Sequence, residues 1–225
     1  MTSPNSILII GATGRTGSHI VKAISEKKSA AWNPKVSAFC RDPSKLDQDT
    51  KELCSLTVKG DARKESDLEM ALDRTLADLV VVTIGRGDNV GKTDIRTASA
   101  IALKNVLGQP QYKNVKVLVI SSIGAAGFGI GCMVEFHLRH ILKDHTLQEA
   151  TFQSSKDLSR RTMIIRPTGL TEGESTGKVI MFGKHEKCPT MKTDRKDLAE
   201  WAVRQMMYEK SAQFGAEPVI ITCVN

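Results

Sequence analysis

The sequence predicts an α/β fold: a doubly wound parallel β-sheet with helices on both faces. Three observations predict it. Strand-like apolar runs alternate with helix-like stretches along the chain. The runs are almost continuously apolar, as strands covered on both faces must be. The first run turns through three glycines straight into a helical pattern. No repeat, low-complexity segment or Pro/Ser linker interrupts this order, so the 225 residues read as one domain, 1–225.

Each element has its own signal. Ile7-Leu8-Ile9-Ile10 is a buried first strand, and Ile20, Val21 and Ile24 then recur at helical spacing. Val36-Ser37-Ala38-Phe39-Cys40 reads as the second strand and Leu56-Thr57-Val58-Lys59 as the third. A helix is expected over 65–76, a strongly apolar fourth strand over 79–84 and a helix over 95–107. A fifth strand follows at 115–120, a helix through 144–152 and a sixth strand at Thr162-Met163-Ile164-Ile165. The chain closes with an amphipathic helix over 194–208 and a last strand over 219–222. Ligands of such sheets sit beyond the carboxyl ends of the strands. The loops to watch are therefore 11–17, 40–45, 60–63, 83–93, 121–131 and 166–178. The glycine-rich, charged segment 166–192 is expected to fold over the substrate side as a small C-terminal cap.

Gly11-Ala12-Thr13-Gly14-Arg15-Thr16-Gly17 is the most informative stretch. Its context, strand before and helix after, makes it a phosphate site. Glycines let the backbone turn tightly and approach a pyrophosphate. The helix start offers unpaired N–H groups and a positive dipole end to the anion. The spacing is G-x-x-G-x-x-G rather than the commoner G-x-G-x-x-G.

The end of the second strand indicates which dinucleotide binds. A carboxylate there usually holds the ribose 2′-OH of NAD. Here Cys40 and Arg41 occupy the place, with Arg15 and Lys45 able to add positive charge. A guanidinium fork suits a 2′-phosphate, which favours NADP(H). Asp42 precedes Pro43, and Asp-Pro opens a turn.

Composition excludes several classes. No apolar run approaches the ~18 residues of a membrane helix. The N-terminus reads as neither a secretory nor a transit signal. Five cysteines, scattered and odd in number with no C-x-x-C, fit reduced thiols in a cytoplasmic protein. The net charge is +7, but lysines and arginines are interspersed with acids, and two Tyr, two Trp and six Phe offer little stacking surface. Nucleic acid is therefore not the expected partner. The charge instead draws an anionic cofactor and a small-molecule substrate. The expected protein binds neither membrane nor nucleic acid and is a monomer or homodimer.

The order Gly-Ala-Thr-Gly-Arg-Thr-Gly, Arg41-Asp42, Gly60-Asp61, Ser121-Ser122 and Arg166-Pro167 resembles the atypical short-chain dehydrogenase/reductase superfamily. Within it, the chain is similar to the small NAD(P)-binding group of NmrA-like proteins and biliverdin-IXβ (flavin) reductases, from Ile7 to about Val224. The resemblance implies a Rossmann-type fold. It implies a pyrophosphate turn at Gly11, Thr13, Gly14, Arg15, Thr16 and Gly17, and Arg41 facing the adenosine phosphate. Asp61 and Ala62 would border the adenine, and Thr83, Ile84 and Gly85 the nicotinamide-side ribose. Ser121 and Ser122 match the serine segment, with Ser122 as the active-site serine. Pro167, Thr168 and Gly169 would back the nicotinamide.

One departure matters. Most of the superfamily uses Tyr-x-x-x-Lys some two dozen residues after the serine, but the only tyrosines are Tyr112, which has Lys116 four residues on yet precedes the fifth strand, and Tyr208, which ends the late helix with no lysine four residues on. In an ungapped match of the expected helix, His145 stands where many relatives have lysine and Glu149 where they have glutamate. The biliverdin-IXβ reductases also carry histidine there. A substrate that accepts hydride readily needs position and electrostatics from the protein, while the cofactor carries the chemistry. A proton would come from water, Ser122 or His145.

The other polar residues read as structural. Cys132, Glu135, His137 and His140 suggest a helix turn rather than a zinc site, so no metal is expected. Asp194 and Asp197 read as helix caps and Met206-Met207 as core filler. The expected activity is NADPH-dependent reduction of a conjugated or carbonyl compound. The alternative is a non-enzymatic NADP(H) sensor acting through a protein partner. An epimerase would need a proton-transfer pair that the sequence does not offer.

Overall fold

The computed structural model describes residues 3–85, 91–127, 131–173, 175–183, 186–207 and 214–224. Its elements follow the predicted alternation. Strand β1 (Ser6–Ile10) feeds helix α1 (Arg15–Lys27), then β2 (Lys35–Cys40), α2 (Gln48–Leu53), β3 (Leu56–Lys59) and α3 (Glu65–Thr75). Next come β4 (Leu79–Val82), α4 (Ile95–Leu107), β5 (Lys116–Ile120), α5 (Cys132–Gln153), α6 (Lys156–Arg160) and β6 (Thr162–Pro167). The chain then forms β7 (Gly169–Thr171), β8 (Val179–Phe182), β9 (Lys192–Asp194), α7 (Arg195–Met207) and β10 (Val219–Cys223). Tyr208, expected to end the late helix, lies outside the described residues.

Eight strands form one sheet in the order β3-β2-β1-β4-β5-β6-β10-β8. All neighbours are parallel except β8, which runs antiparallel to β10. The order reverses beside β1: Ile9 sits between Ala38 of β2 and Val81 of β4. That reversal is the switch point at which such Rossmann-type sheets bind ligands.

Alternation along β1 splits the core. Ile7 and Ile9 pack with Ile20, Val21 and Ile24 of α1 and with Leu198, Trp201 and Ala202 of α7. Leu8 and Ile10 face the other way, toward Leu68 of α3, Leu103 of α4 and Phe152 of α5. Both faces are thus covered, which explains why the strand residues read as continuously apolar.

The structure departs from expectation in three places. The fourth strand ends at Val82 rather than residue 84, and the Thr83 amide and hydroxyl both donate to the Ile10 carbonyl, at 2.9 and 3.0 Å. The short helices α2 and α6 were not read from the sequence, though each has a capping signal: Asp47 accepts from the Thr50 amide and Ser155 from the Leu158 amide. Segment 166–192, expected as a small cap, contains strands that were not read from the sequence. It gives β8 to the sheet edge and pairs β7 with β9 in a two-stranded sheet. Edge strand β8 leaves Ile180 and Met181 exposed, so its sequence lacks the buried-strand signature. Among the described residues no helix is long and apolar enough to cross a membrane.

Candidate active site

The three glycines of the first turn do different work. Gly11 has φ +96°, and a Cβ there would lie 2.8 Å from Thr83 Oγ1. Only glycine turns the chain so tightly against β4. A Cβ on Gly17 would lie 2.4 Å from the Gly11 carbonyl oxygen, so Gly17 lets the helix close onto the loop. Gly14 caps α1 with extended backbone, no side chain caps that helix, and its first turn holds no acid. No capping side chain or acid therefore competes with an anion at the start of α1, where a dinucleotide pyrophosphate would sit.

This turn opens into a cavity of about 900 Å³ lined by residues from several strand ends. Gly11, Thr13, Gly14, Arg15 and Thr16 line it, and Gly17 stands behind them. At the β2 end lie Phe39, Cys40, Arg41, Asp42 and Lys45. Arg41 is exposed. Asp42 is turned away from a ribose-binding role: its carboxylate accepts from the Ser44 amide and hydroxyl at 3.1 and 2.6 Å, and these bonds hold it below the usual carboxylate range. Asp61 and Ala62 also line the cavity. Arg63 grips Asp61 in an ion pair of 2.5 Å, lowering that carboxyl to about 2, with a smaller contribution from Arg41.

At the far end the cavity is bordered by Thr83, Ile84 and Gly85, then Arg96, Ser99, Ile120, Ser121 and His145. Ser121, at the end of β5, is 4 % exposed. Its hydroxyl donates to Glu149 Oε1 at 2.5 Å and lies 3.4 Å from His145 Nδ1. Arg166 of β6 holds Glu149 from the other side through Nε, at 3.0 Å, and Nη2, at 2.5 Å. His145 is 7 % exposed, and burial, followed by the nearby Arg96 cation, pushes its pKa down to about 3. The imidazole is neutral at ordinary pH.

Several expected residues lie elsewhere. Ser122 is only half-buried and does not line the cavity; its carbonyl accepts from the Ala125 amide at 2.9 Å. Strand alternation explains this, since adjacent residues at a strand end point to opposite faces. Pro167, Thr168 and Gly169 do not line it either. Thr168 is buried against Thr193 and Thr222, and Gly169 pairs with Lys192, so Leu170 is the residue that reaches the cavity. Tyr112 is remote: buried, it donates to Asp73 at 2.5 Å, and burial and that carboxylate push it up to about 12.

The NAD(P)H-binding family is matched over residues 11–208. The chain belongs to that family. No protein of curated function matches it in sequence. Its fold is that of an oxidoreductase of Lactococcus lactis, at TM-score 0.75 and 19% identity over 97% of this chain and 91% of that one. A short-chain dehydrogenase/reductase of Veillonella parvula, solved in complex with NADP, gives TM-score 0.76 at 13% identity over 97% and 94%. An anaerobillin reductase of Escherichia coli O157:H7 gives 0.69 at 18% over 97% and 95%.

In this NAD(P)H-binding protein, sequence reasoning missed Glu172, Arg195 and Arg96. Glu172 accepts from Arg195 at 2.8 Å, lies 3.2 Å from His19 Nε2 and pairs with Arg15 at 3.8 Å, tying the β7 side of the cavity to α1. Arg96 carried a signal. A cation in the first turn of a helix opposes the dipole and calls for a local reason. Asp194 caps α7, accepting from the Lys196 amide at 2.9 Å, whereas Asp197, expected to cap as well, serves the preceding loop. Asp194 accepts from the Gly173 amide, and Asp197 from Ser175, Thr176 and Gly177, fastening that loop to α7. Met206 is core, as expected. Among the described residues no group of three or more His, Cys, Asp or Glu could hold a metal; the Cys132 side chain is not among them.

Proposed function

We propose that this protein is an NADPH-dependent reductase of the atypical short-chain dehydrogenase/reductase type, acting on a small conjugated or carbonyl substrate without a Tyr/Lys pair. One observation carries the reading. A single cavity joins the glycine turn and the basic β2 end to the buried Ser121–Glu149–Arg166 network. Bound NADPH supplies the hydride. The amides opening α1 seat the pyrophosphate, while Arg41, Lys45 and Arg15 receive the 2′-phosphate. Thr83, Ile84 and Gly85 border the nicotinamide-side ribose.

The residues at the reacting end position rather than protonate. Ser121 gives its hydrogen to Glu149 and so offers lone pairs to the cavity. His145 is neutral and sits in a buried site beside a cation, which makes it a poor acid. Solvent water supplies the proton. Ser121 takes the role that the resemblance gave to Ser122.

The test is direct. NADPH is mixed with the protein and a panel of flavins, quinones and conjugated ketones, and loss of NADPH absorbance is followed. At least one compound should be reduced. NADPH binding without turnover of any compound, together with a cofactor-bound structure whose nicotinamide face is covered, would replace the reductase by a redox sensor.

A further inference from the structure

Arg96 is a cation without a full set of partners. It stands in the first turn of α4, 8 % exposed. Its Nε is buried with no acceptor. Among the described residues its side chain makes one hydrogen bond, from Nη1 to Asp144 Oδ2 at a long 3.4 Å. Asp144 is already shared: it accepts from the amides of Arg96 and Thr97, at 3.1 and 2.9 Å, and from the Thr97 hydroxyl at 2.7 Å. Nη2 lies beside Gly85, where an added Cβ would come within 3.2 Å of it. The guanidinium lines the same end of the cavity as Ser121 and His145.

A buried charge is costly unless it is paired and hydrogen-bonded. Asp144 pins Arg96 but spreads its charge over the start of α4. Arg96 itself lines the cavity, with Nη2 beside Gly85 on its wall. The partner that fits is an anion brought by a ligand. The cofactor's phosphates already have the α1 amides, Arg15, Arg41 and Lys45 at the other end. We propose that Arg96 makes the Ser121–His145 end a subsite for a carboxylate carried by the substrate. This rests on the reductase reading for the identity of the ligand. A guanidinium–carboxylate contact is charge-assisted and selects an acid over its neutral amide.

Cinnamate and cinnamamide share ring and alkene and differ in this charge. Calorimetry with the NADP⁺-saturated protein should show cinnamate binding at least about tenfold tighter. Arg96→Gln should bring the two within about twofold, and Arg96→Lys should keep part of the preference. Affinity for NADP⁺ should stay within about threefold in both variants. Equal affinities in the wild type, binding of neither probe, or a preference that survives Arg96→Gln would overturn the subsite. So would loss of NADP⁺ affinity in Arg96→Gln, which would assign the guanidinium to the cofactor. If Arg96→Gln does not fold, an undiminished preference in Arg96→Lys is the overturning result. If the wild type does not bind NADP⁺, the reductase reading falls. The same titrations on the free protein then decide the subsite alone.

Discussion

The Ser121 hydroxyl donates to Glu149 Oε1 at 2.5 Å. A carboxylate accepts only, so the serine's single hydrogen is committed, and what it shows the cavity is an acceptor. Glu149 is held in turn by Arg166, buried on β6. The serine's chemistry is therefore set by a charge pair with no access to the substrate. Ser121→Ala should leave this pair intact and cost about 1 kcal/mol of stability. Its KM should rise about five- to tenfold with kcat within about threefold, read from steady-state kinetics. A collapse of kcat with KM unchanged would make Ser121 the proton donor.

Glu149→Gln tests the support beneath the serine. It leaves the Arg166 guanidinium buried without a counter-charge, which typically costs about 3–5 kcal/mol. Denaturant unfolding should show a loss of that order. A change below about 1 kcal/mol would mean that water or another group neutralises Arg166.

His145 makes stability depend on pH. The unfolded imidazole takes a proton below about pH 6.5, whereas the buried one resists protonation until about pH 3. Between these values the unfolded state binds more protons, so stability falls as pH falls and is unaffected above about 7. At pH 5 the loss amounts to about 2 kcal/mol. Melting curves at pH 7 and pH 5 should show that drop in the wild type and not in His145→Gln. Turnover should lack a histidine titration near neutrality, and His145→Ala should keep the rate within about tenfold. A hundredfold loss with cofactor affinity unchanged would restore histidine as the acid.

Most of the sheet was legible because its strands are buried on both faces. Leu56–Lys59 and Ile95–Leu107 fall where periodicity puts them. Val179–Phe182 was not, because an antiparallel edge strand carries no such run. The phosphate turn was legible as a local motif. The inner wall was not, since it is assembled from residues far apart in sequence. Which of two adjacent serines faces the cavity depends on where β5 ends, a single-residue matter that patterns do not resolve. The use of Leu170 rather than residues 167–169 has the same origin, since β6 runs two residues past its predicted end.

Arg41 should set cofactor choice. It lies on the cavity wall with Lys45, while Asp42 is engaged by Ser44. NADPH should bind at least about tenfold tighter than NADH, equivalent to about 1.4 kcal/mol and within reach of one charge-assisted phosphate contact. Arg41→Ala should reduce the ratio to about two or less by weakening NADPH alone. Equal affinities in the wild type would show that the strand end does not read the 2′-phosphate.

Gly14 separates cofactor binding from folding. Its backbone is extended, at φ −86° and ψ 154°, a conformation valine adopts without strain. An added Cβ meets only the Gly11 carbonyl oxygen, at 3.2 Å, and the residue lines the cavity. Gly14→Val should therefore fold, losing about 1 kcal/mol for a poorer helix cap. Its side chain fills the space in front of the first-turn amides, so NADPH affinity should fall at least about a hundredfold by calorimetry. Gly17→Val should do the reverse. Its Cβ would stand 2.4 Å from backbone, so the helix cannot close and the fold itself should suffer. A Gly14→Val protein that melts normally and still binds NADPH would place the pyrophosphate elsewhere in the cavity.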